Sequence, residues 1–448
     1  MNFARRFILF FYLPLLCAAF LAQRPLLAQS ASPSVSGQSG AQSAYTLPPE
    51  KLAKAIALAR IRNVLGFAGS LWQLFVLGLL LVTPAAARLE AWLQRIIPPR
   101  KLAGVLRSLC FFVLLLLALN LASLPLALYG HSVSLRYGIS VQGWTGWWLD
   151  LLKGFAVSLA ILSPLLTLFS AIVRRWPRRY WLVAWAATLP LLLLGTVLAP
   201  LLDPFFNQFE PLSQSHPALA AQLEKVVART GTRIPPERMF LMKASGKTNG
   251  LNAYVTGIGP TKRIVVWDTT AGRIPDDEIL FVFAHESGHY VLNHIPKGLA
   301  LSAVSLFFLY RLLAVLAAPL ARRLAVRRGF SNLDSVNPLS TCADFLVLLF
   351  LLSVAQFLSE PIANAVSRHF EHQADVYGQE AIHGIVADPQ RTAVAAFNHL
   401  GEAWLEDPKP SPFIEFWSYT HPSTQHRAQF AQHYSPWTAD AQPEFFSK

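Results

Sequence analysis

Six apolar runs constrain this chain more than any other feature, because each is about as long as the 20 residues that a helix needs to cross a bilayer core. They are Val64–Val82, Leu109–Leu128, Phe155–Val173, Trp181–Pro200, Leu299–Leu320 and Ala343–Ala363. Lipid offers the backbone no hydrogen-bond partner, so such runs are expected to be helices that satisfy themselves. Only 14% of the 448 residues are charged, against about a quarter in ordinary soluble domains, which argues against a single water-soluble globule. Aromatic residues make up 12% of the chain, too many for intrinsic disorder.

A seventh run, Phe7–Ala22, is shorter and follows Arg5 and Arg6. It reads either as a secretory signal, with Ala28-Gln29-Ser30 as a small-residue cleavage site, or as an uncleaved first span. The stretch Gln29–Ala44 is rich in Ser, Gly and Gln and has no apolar periodicity, so it reads as a flexible linker. The expected organisation is therefore a signal peptide or first span over 1–30, a linker and amphipathic segment over 31–63, and transmembrane helices over 64–200. An extramembrane segment over 201–298, the last two spans over 299–363 and a C-terminal segment over 364–448 complete it.

Lysine and arginine in short loops set orientation. The loop Pro84–Arg107 carries five, Arg174–Tyr180 four and Ala321–Cys342 four, against two in Tyr129–Gly154. This asymmetry puts the first three loops in the cytoplasm and faces Leu201–Gly298 and the C-terminal tail outward. The loop Gln23–Asn63 also carries five and runs against the trend. Basic span ends account for the net charge of +13, and no basic groove interleaved with aromatics is present, so nucleic acid is not an expected partner. Cys17, Cys110 and Cys342 are odd in number and at no metal spacing, which excludes a disulfide framework or a zinc finger. Arg311, Asp344 and Glu360 sit in or near apolar runs, and Pro125, Pro164 and Pro190 interrupt others. Arg311 lies mid-run, which points to a polar interior or a partner helix.

From Leu201 to Gly298 the apolar runs shorten and charge returns. Arg238–Met242, Asn252–Thr256 and Arg263–Trp267 read as short strands, and Gly257-Ile258-Gly259-Pro260 reads as the turn of a hairpin between the last two. Pro275-Asp276-Asp277-Glu278 then opens a helix, since proline suits a helix start and acidic side chains suit its positive end. On that helix lies His285-Glu286-Ser287-Gly288-His289, an H-E-x-x-H pattern. Residues four apart stack on one helix face, so both imidazoles can reach one metal ion. Glu286, about 100° further round, can meet a water molecule beside that ion. The bland alternative is a pair of surface histidines on an amphipathic helix.

Catalytic zinc usually has three protein ligands and one open position. His294 falls at the wrong spacing to extend the pattern. The best third candidate is Glu371, in Asn364-Ala365-Val366-Ser367-Arg368-His369-Phe370-Glu371-His372-Gln373-Ala374-Asp375. His369 and His372 are weaker candidates. Asp375, one turn beyond Glu371, can accept the free N–H of a ligating histidine and hold its tautomer. Arg368 and Glu371 alternatively form an i,i+3 pair on a solvated helix. Near the C-terminus, Thr420-His421-Pro422-Ser423-Thr424-Gln425-His426-Arg427 offers a histidine and an arginine able to stabilise an oxyanion, or is an ordinary polar loop.

Taken in order, these motifs resemble the integral-membrane zinc metalloproteases called type I CaaX prenyl endopeptidases, whose relatives include the HtpX heat-shock protease. The resemblance covers roughly Leu47 to Arg427 and includes three further runs. They are Pro204-Phe205-Phe206-Asn207-Gln208-Phe209-Glu210-Pro211-Leu212, Asn252-Ala253-Tyr254-Val255-Thr256-Gly257 and Lys262-Arg263-Ile264-Val265-Val266-Trp267-Asp268-Thr269. It implies one Zn2+ held by His285, His289 and Glu371, with Glu286 as the catalytic carboxylate and Asp375 behind the ligands. It also implies that His421 and Arg427 help to hold substrate or the oxyanion, and that Asn252, Ala253 and Tyr254 form an edge to which an extended peptide adds as a strand.

The fold so implied is mainly α and integral to the membrane. Six or seven transmembrane helices enclose a water-filled chamber beside a small α+β zincin-type domain. The expected partners are a peptide or protein substrate, lipidated or membrane-bound, and the bilayer. The expected location is a bacterial inner (plasma) membrane, with the catalytic region on the outer, periplasmic side. Two rival functions remain: quality-control cleavage of misfolded membrane proteins, and a transporter or scaffold with a structural zinc site.

Overall fold

The computed structural model describes residues 44–257, 259–327, 339–438 and 441–446. The run Phe7–Ala22 and nearly all of the linker Gln29–Ala44 lie outside the described residues. Within them, six helices are long and apolar enough to cross a membrane. In chain order the first five long or amphipathic helices are α1 (Pro49–Val82), α2 (Ala85–Ile96), α3 (Ala103–Arg136), α4 (Trp144–Arg175) and α5 (Tyr180–Phe206). A small mixed domain follows. It contains β1 (Phe209–Pro211), α6 (Leu212–Ser215), α7 (Pro217–Thr230), β2 (Met239–Met242), β3 (Ala253–Thr256), β4 (Arg263–Trp267), α8 (Asp268–Ala271) and α9 (Asp276–Val291). The last two spans are α10 (His294–Arg327) and α11 (Cys342–Ala381), and α12 (Pro389–Trp404), α13 (Pro412–Ser418) and α14 (Thr424–His433) end the chain.

The helices continue through Pro125, Pro164 and Pro190, as packed membrane helices tolerate. Helix α1 starts well before its apolar run. Leu47, Ala55 and Leu58 at its start share a buried core with Ile279 and Phe281 of α9, so α1 begins beside the mixed domain and α2 lies at the opposite end of the bundle. Helix α3 returns to the mixed domain, where Ser140 just after it bridges to Thr248.

The far end gathers the basic loops. There Arg174 donates to Ser108 Oγ at 3.2 Å and reaches Cys342 Sγ at 3.5 Å. Glu90 of α2 accepts the backbone N–H groups of Cys342 and Ala343 at 3.3 and 3.0 Å, neutralising the positive end of α11. Asp344 completes a capping box with Thr341 on the same helix start. Between the ends the bundle encloses a cavity of about 120 Å³, lined mostly by leucines and aromatics, with Gln73, Ser353 and Gln356 among its few polar groups.

Arg311 meets the second of its two expected environments, a partner helix. It is exposed on α10, and its guanidinium lies 5.7 Å from the ring centroid of Trp181, at the start of α5. It therefore sits level with the basic end and finds a partner helix through a cation–π contact rather than through a polar interior.

The mixed domain has a four-stranded sheet in the order β1-β2-β4-β3. The expected hairpin is present: β3 and β4 run antiparallel, with Tyr254 opposite Val265. The strand expected over Arg238–Met242 begins one residue later, after a 3-10 turn over Pro236–Arg238. Strand β3 likewise starts at Ala253 rather than Asn252. It is an edge strand, and α9 packs alongside it. In α9 the run Ile279–Ala284 is buried on every side. Phe281 and Phe283 are each 1% exposed, and full burial of such a ring contributes about 1.5–3 kcal/mol. This is a core helix, not the amphipathic surface helix of the bland alternative.

Helix α11 is one unbroken run of 40 residues, about 60 Å long and thus far longer than the roughly 30 Å hydrocarbon core. The last span and the C-terminal motif helix are therefore a single element, which carries its final turns out of the membrane and against α9. Gly378 and Gly288 allow the contact. A Cβ on Gly378 would lie 2.9 Å from the backbone nitrogen of His285, and one on Gly288 would lie 3.1 Å from Cβ of Tyr377.

Candidate metal centre

That crossing brings together residues far apart in sequence. His285 and His289 project from one face of α9, and Glu371 meets them from α11. Nε2 of His285 lies 3.3 Å from Nε2 of His289. Glu371 places Oε2 at 3.3 Å from the first ring and Oε1 at 3.7 Å from the second. Donors about 2.0–2.1 Å from a tetrahedral zinc ion stand roughly 3.3 Å apart, so the triangle has the right dimensions for one ion. Oε2 of Glu371 is buried without a well-aligned hydrogen bond, as a metal-ligating oxygen would be. Among the described residues these three form the one group of His, Cys, Asp and Glu that converges in this way.

The neighbours fix the triangle. Nδ1 of His285 lies 2.8 Å from Oδ1 of Asp375, the carboxylate–histidine arrangement expected from the one-turn spacing on α11. Arg427 binds Asp375 through both carboxylate oxygens, at 2.9 and 2.6 Å, and its guanidinium stacks over Phe397 at 4.5 Å. Burial disfavours the charge of Arg427, but the Asp375 carboxylate outweighs this and raises its pKa. Arg427, expected to help hold substrate or the oxyanion, donates its Nε and Nη2 hydrogens to Asp375. His421 differs. Its side chain is 50% exposed, and Nε2 stands 3.1 Å from Oε2 of Glu371.

Burial alone would push His285 down, but Asp375 and Glu371 outweigh it and raise the ring to about 9. Burial pushes His289 down to about 4 and Glu286 up to about 7. Glu286 also accepts the backbone N–H of Val255 in β3, so the H-E-x-x-H carboxylate stands between the donor triangle and the edge strand.

The strand residues divide. Trp267 donates its N–H to Asn252 O at 3.1 Å, and bonded and non-bonded pairs alternate along antiparallel strands. Asn252 and Tyr254 therefore turn their backbones toward β4, whereas Ala253 and Val255 present theirs to the free edge. Tyr254 donates its hydroxyl to Asp203 at 3.0 Å, and the backbone N–H of Asn252 donates to Thr270 Oγ1 at 2.8 Å. Of the expected edge residues Ala253 turns its backbone outward, as does Val255, whose N–H goes to Glu286.

His369 and His372 do not join the triangle. His372 is exposed, with its ring 4.5 Å from that of Phe430. Arg368 makes no pair with Glu371. It donates instead to the carbonyls of Glu415 and Tyr419 at 2.9 and 2.7 Å, and so anchors the end of α13 just before His421. Sequence reasoning also missed His294, which failed the spacing test for a ligand but lies 2% exposed under His289.

A bundle of membrane-spanning helices with an H-E-x-x-H helix and a glutamate from the last span defines an integral-membrane metalloprotease. Residues 213–435 match the model for peptidase family M48, and residues 37–208 match one described as CAAX prenyl protease N-terminal, five membrane helices. The chain is 33% identical to the uncharacterized metalloprotease YhfN of Bacillus subtilis, over 91% of both chains. It is 27% identical to CAAX prenyl protease 1 of Saccharomyces cerevisiae, over 75% of this chain and 74% of that one. Its fold is similar to the crystal structure of S. mikatae Ste24p, with a TM-score of 0.73 and 22% identity over 97% of this chain and 100% of the other. The protein belongs to peptidase family M48 and is related to the CAAX prenyl proteases.

Proposed function

We propose that this protein is a zinc-dependent endopeptidase that hydrolyses peptide bonds at the membrane surface. The observation that carries the reading is the donor triangle of His285, His289 and Glu371 with Glu286 set between it and a free strand edge. Two imidazoles and a carboxylate at tetrahedral spacing suit zinc, and a donor set of three leaves a coordination position for chemistry rather than closing a structural site. Bound there, zinc supplies a Lewis acid that polarises a carbonyl and makes water a nucleophile near neutral pH.

The chain's own groups do the rest. An extended substrate pairs with the outward backbone of Ala253 and with the carbonyl of Val255, whose N–H is held by Glu286; this pairing lays the scissile bond along the cleft. Glu286, raised to about 7 by burial, is matched to taking a proton from the attacking water and returning it to the leaving amine. His421, half exposed at the rim, is placed to donate to the developing oxyanion. Asp375 holds the tautomer of His285, and Arg427 holds Asp375.

Orientation follows from the distribution of charge. The three basic loops share the end of the bundle opposite the mixed domain, and basic loops stay in the cytoplasm. We therefore place the catalytic cleft on the outer face of a bacterial inner membrane. The substrate is a peptide or protein presented at that surface. The CAAX prenyl protease relatives make a lipidated chain one class of it, and misfolded membrane proteins are the other.

The test is the purified protein in detergent, loaded with zinc and given a peptide library that includes isoprenylated members. Mass spectrometry of the fragments reads cleavage. Glu286→Gln is expected to keep the metal and lose turnover. Cleavage at the normal rate by that variant would refute the assignment.

A further inference from the structure

We propose that His294 is a positioning residue for the metal-ligating ring of His289, and that Gln373 sets the tautomer through which it acts. The proposal rests on the reading of His289 as a ligand.

Geometry carries it. Asn293, between α9 and α10, has φ at +56°, a left-handed turn that asparagine tolerates better than most residues. The turn brings the first residue of α10 back under the end of α9. There Nδ1 of His294 lies 3.0 Å from Nδ1 of His289, and Nε2 of His294 lies 3.1 Å from Oε1 of Gln373. The His294 ring stacks on Phe370, with centroids 3.9 Å apart and planes 7° from parallel. Phe370 and Gln373 flank Glu371 on α11. One buried ring therefore braces the second imidazole against the helix that supplies the carboxylate.

The proton positions follow from the donors. Nε2 of His289 faces the other ligand atoms, so a metal takes that nitrogen and the ring proton resides on Nδ1. Two Nδ1 atoms can share one hydrogen bond only if the second carries no proton. His294 must then hold its own proton on Nε2, where the carbonyl oxygen of Gln373 accepts it. A ligating histidine usually gives its second N–H to a carboxylate, carbonyl or water, and loss of such a partner lowers metal affinity about 10–100-fold. His285 uses Asp375 in this way, and His289 uses the His294–Gln373 pair.

The experiment measures Zn2+ affinity of the full-length protein in detergent by competition with a chromophoric chelator, together with the Co2+ absorption spectrum. His294→Ala is expected to weaken metal binding about 10–100-fold and to alter the Co2+ bands. Gln373→Leu removes the acceptor that selects the tautomer and should weaken binding in the same direction. Gln373→Glu keeps an acceptor and should restore both affinity and spectrum. If His294→Ala does not fold, the two Gln373 variants decide. Wild-type affinity and spectrum in Gln373→Leu, or failure of Gln373→Glu to rescue it, would overturn the proposal. His289→Ala separates the two readings. Retained stoichiometric metal there sinks the ligand assignment itself, whereas loss of metal there with none in Gln373→Leu sinks the His294 relay alone.

Discussion

Nδ1 of His285 lies 2.8 Å from Oδ1 of Asp375, and Arg427 grips the same carboxylate from the other side. The first imidazole is thus held by an acid that is itself held by a base. Asp375→Ala should weaken zinc affinity about 10–100-fold while leaving the helices intact, measured by chelator competition. Arg427→Met should instead strike stability. It leaves a carboxylate whose side chain is 4% exposed without its counter-charge, at about 3–5 kcal/mol, seen as a large fall in melting temperature. Arg427→Lys keeps the charge but not the two-pronged grip, so its fall should be smaller. Unchanged zinc affinity in Asp375→Ala would remove this carboxylate from the site.

Gly378 sets how closely α9 and α11 approach. A Cβ there would stand 2.9 Å from the nitrogen and 3.0 Å from Cα of His285, and backbone cannot move aside as a side-chain tip can. Gly378→Ala is expected to cost about 1–3 kcal/mol by overpacking and to separate Glu371 from the histidines, so that stability and zinc affinity fall together. Gly288→Ala meets the side chain of Tyr377 and should be milder. A Gly378→Ala protein with the original melting temperature and metal affinity would contradict the close contact.

Arg368 and Asn364 reach from α11 to the carbonyls that end α13, Arg368 to Glu415 and Tyr419 and Asn364 to Trp417. His421 follows directly and faces Glu371. On the proposed role of His421 as an oxyanion donor, Arg368→Ala should free its loop and lower kcat/KM about tenfold or more, with zinc affinity unaltered. Loss of metal without loss of turnover per bound zinc would show that Arg368 supports the ligands instead.

Much of this architecture was legible in the residues. Run length named the spans, because lipid forces apolar helices of a set length, and H-E-x-x-H at helical spacing named two donors. Glu371 stood out less, since only tertiary contact distinguishes it from a solvated glutamate four residues before an aspartate. The continuity of α11 was hidden because a span is recognised by where its apolar character ends, not by where its helix ends. The contacts of Arg427 with Asp375 and of His294 with His289 were hidden for a related reason, since sequence spacing tests for ligands and oxyanion donors but not for the groups packed behind them. Edge residues were similarly blurred, because only the bonded register shows that Val255, not Tyr254, turns its backbone outward.

The loop bearing His421 is also tied by an ion pair whose pH dependence has a definite sign. Nδ1 of His426 lies 3.0 Å from Oε1 of Glu415, which also accepts the Ser423 N–H at 2.9 Å. Burial alone would raise the Glu415 carboxyl, but His426 and the Ser423 N–H outweigh it and lower the pKa below the usual 4.5. The same hydrogen bond raises His426 above the usual 6.5. A lowered carboxyl stabilises the fold above 4.5 and loses that effect as pH falls through its folded value; a raised imidazole stabilises below 6.5 and loses it as pH rises through its folded value. Both contributions are therefore complete between 4.5 and 6.5. His426 is 62% exposed at its side chain, so the pair is worth at most about 1 kcal/mol. The melting temperature of the wild type minus that of His426→Gln should be largest in that window and shrink toward alkaline pH. A difference that stays constant from acid to alkaline pH would show that the contact is a neutral hydrogen bond and not an ion pair.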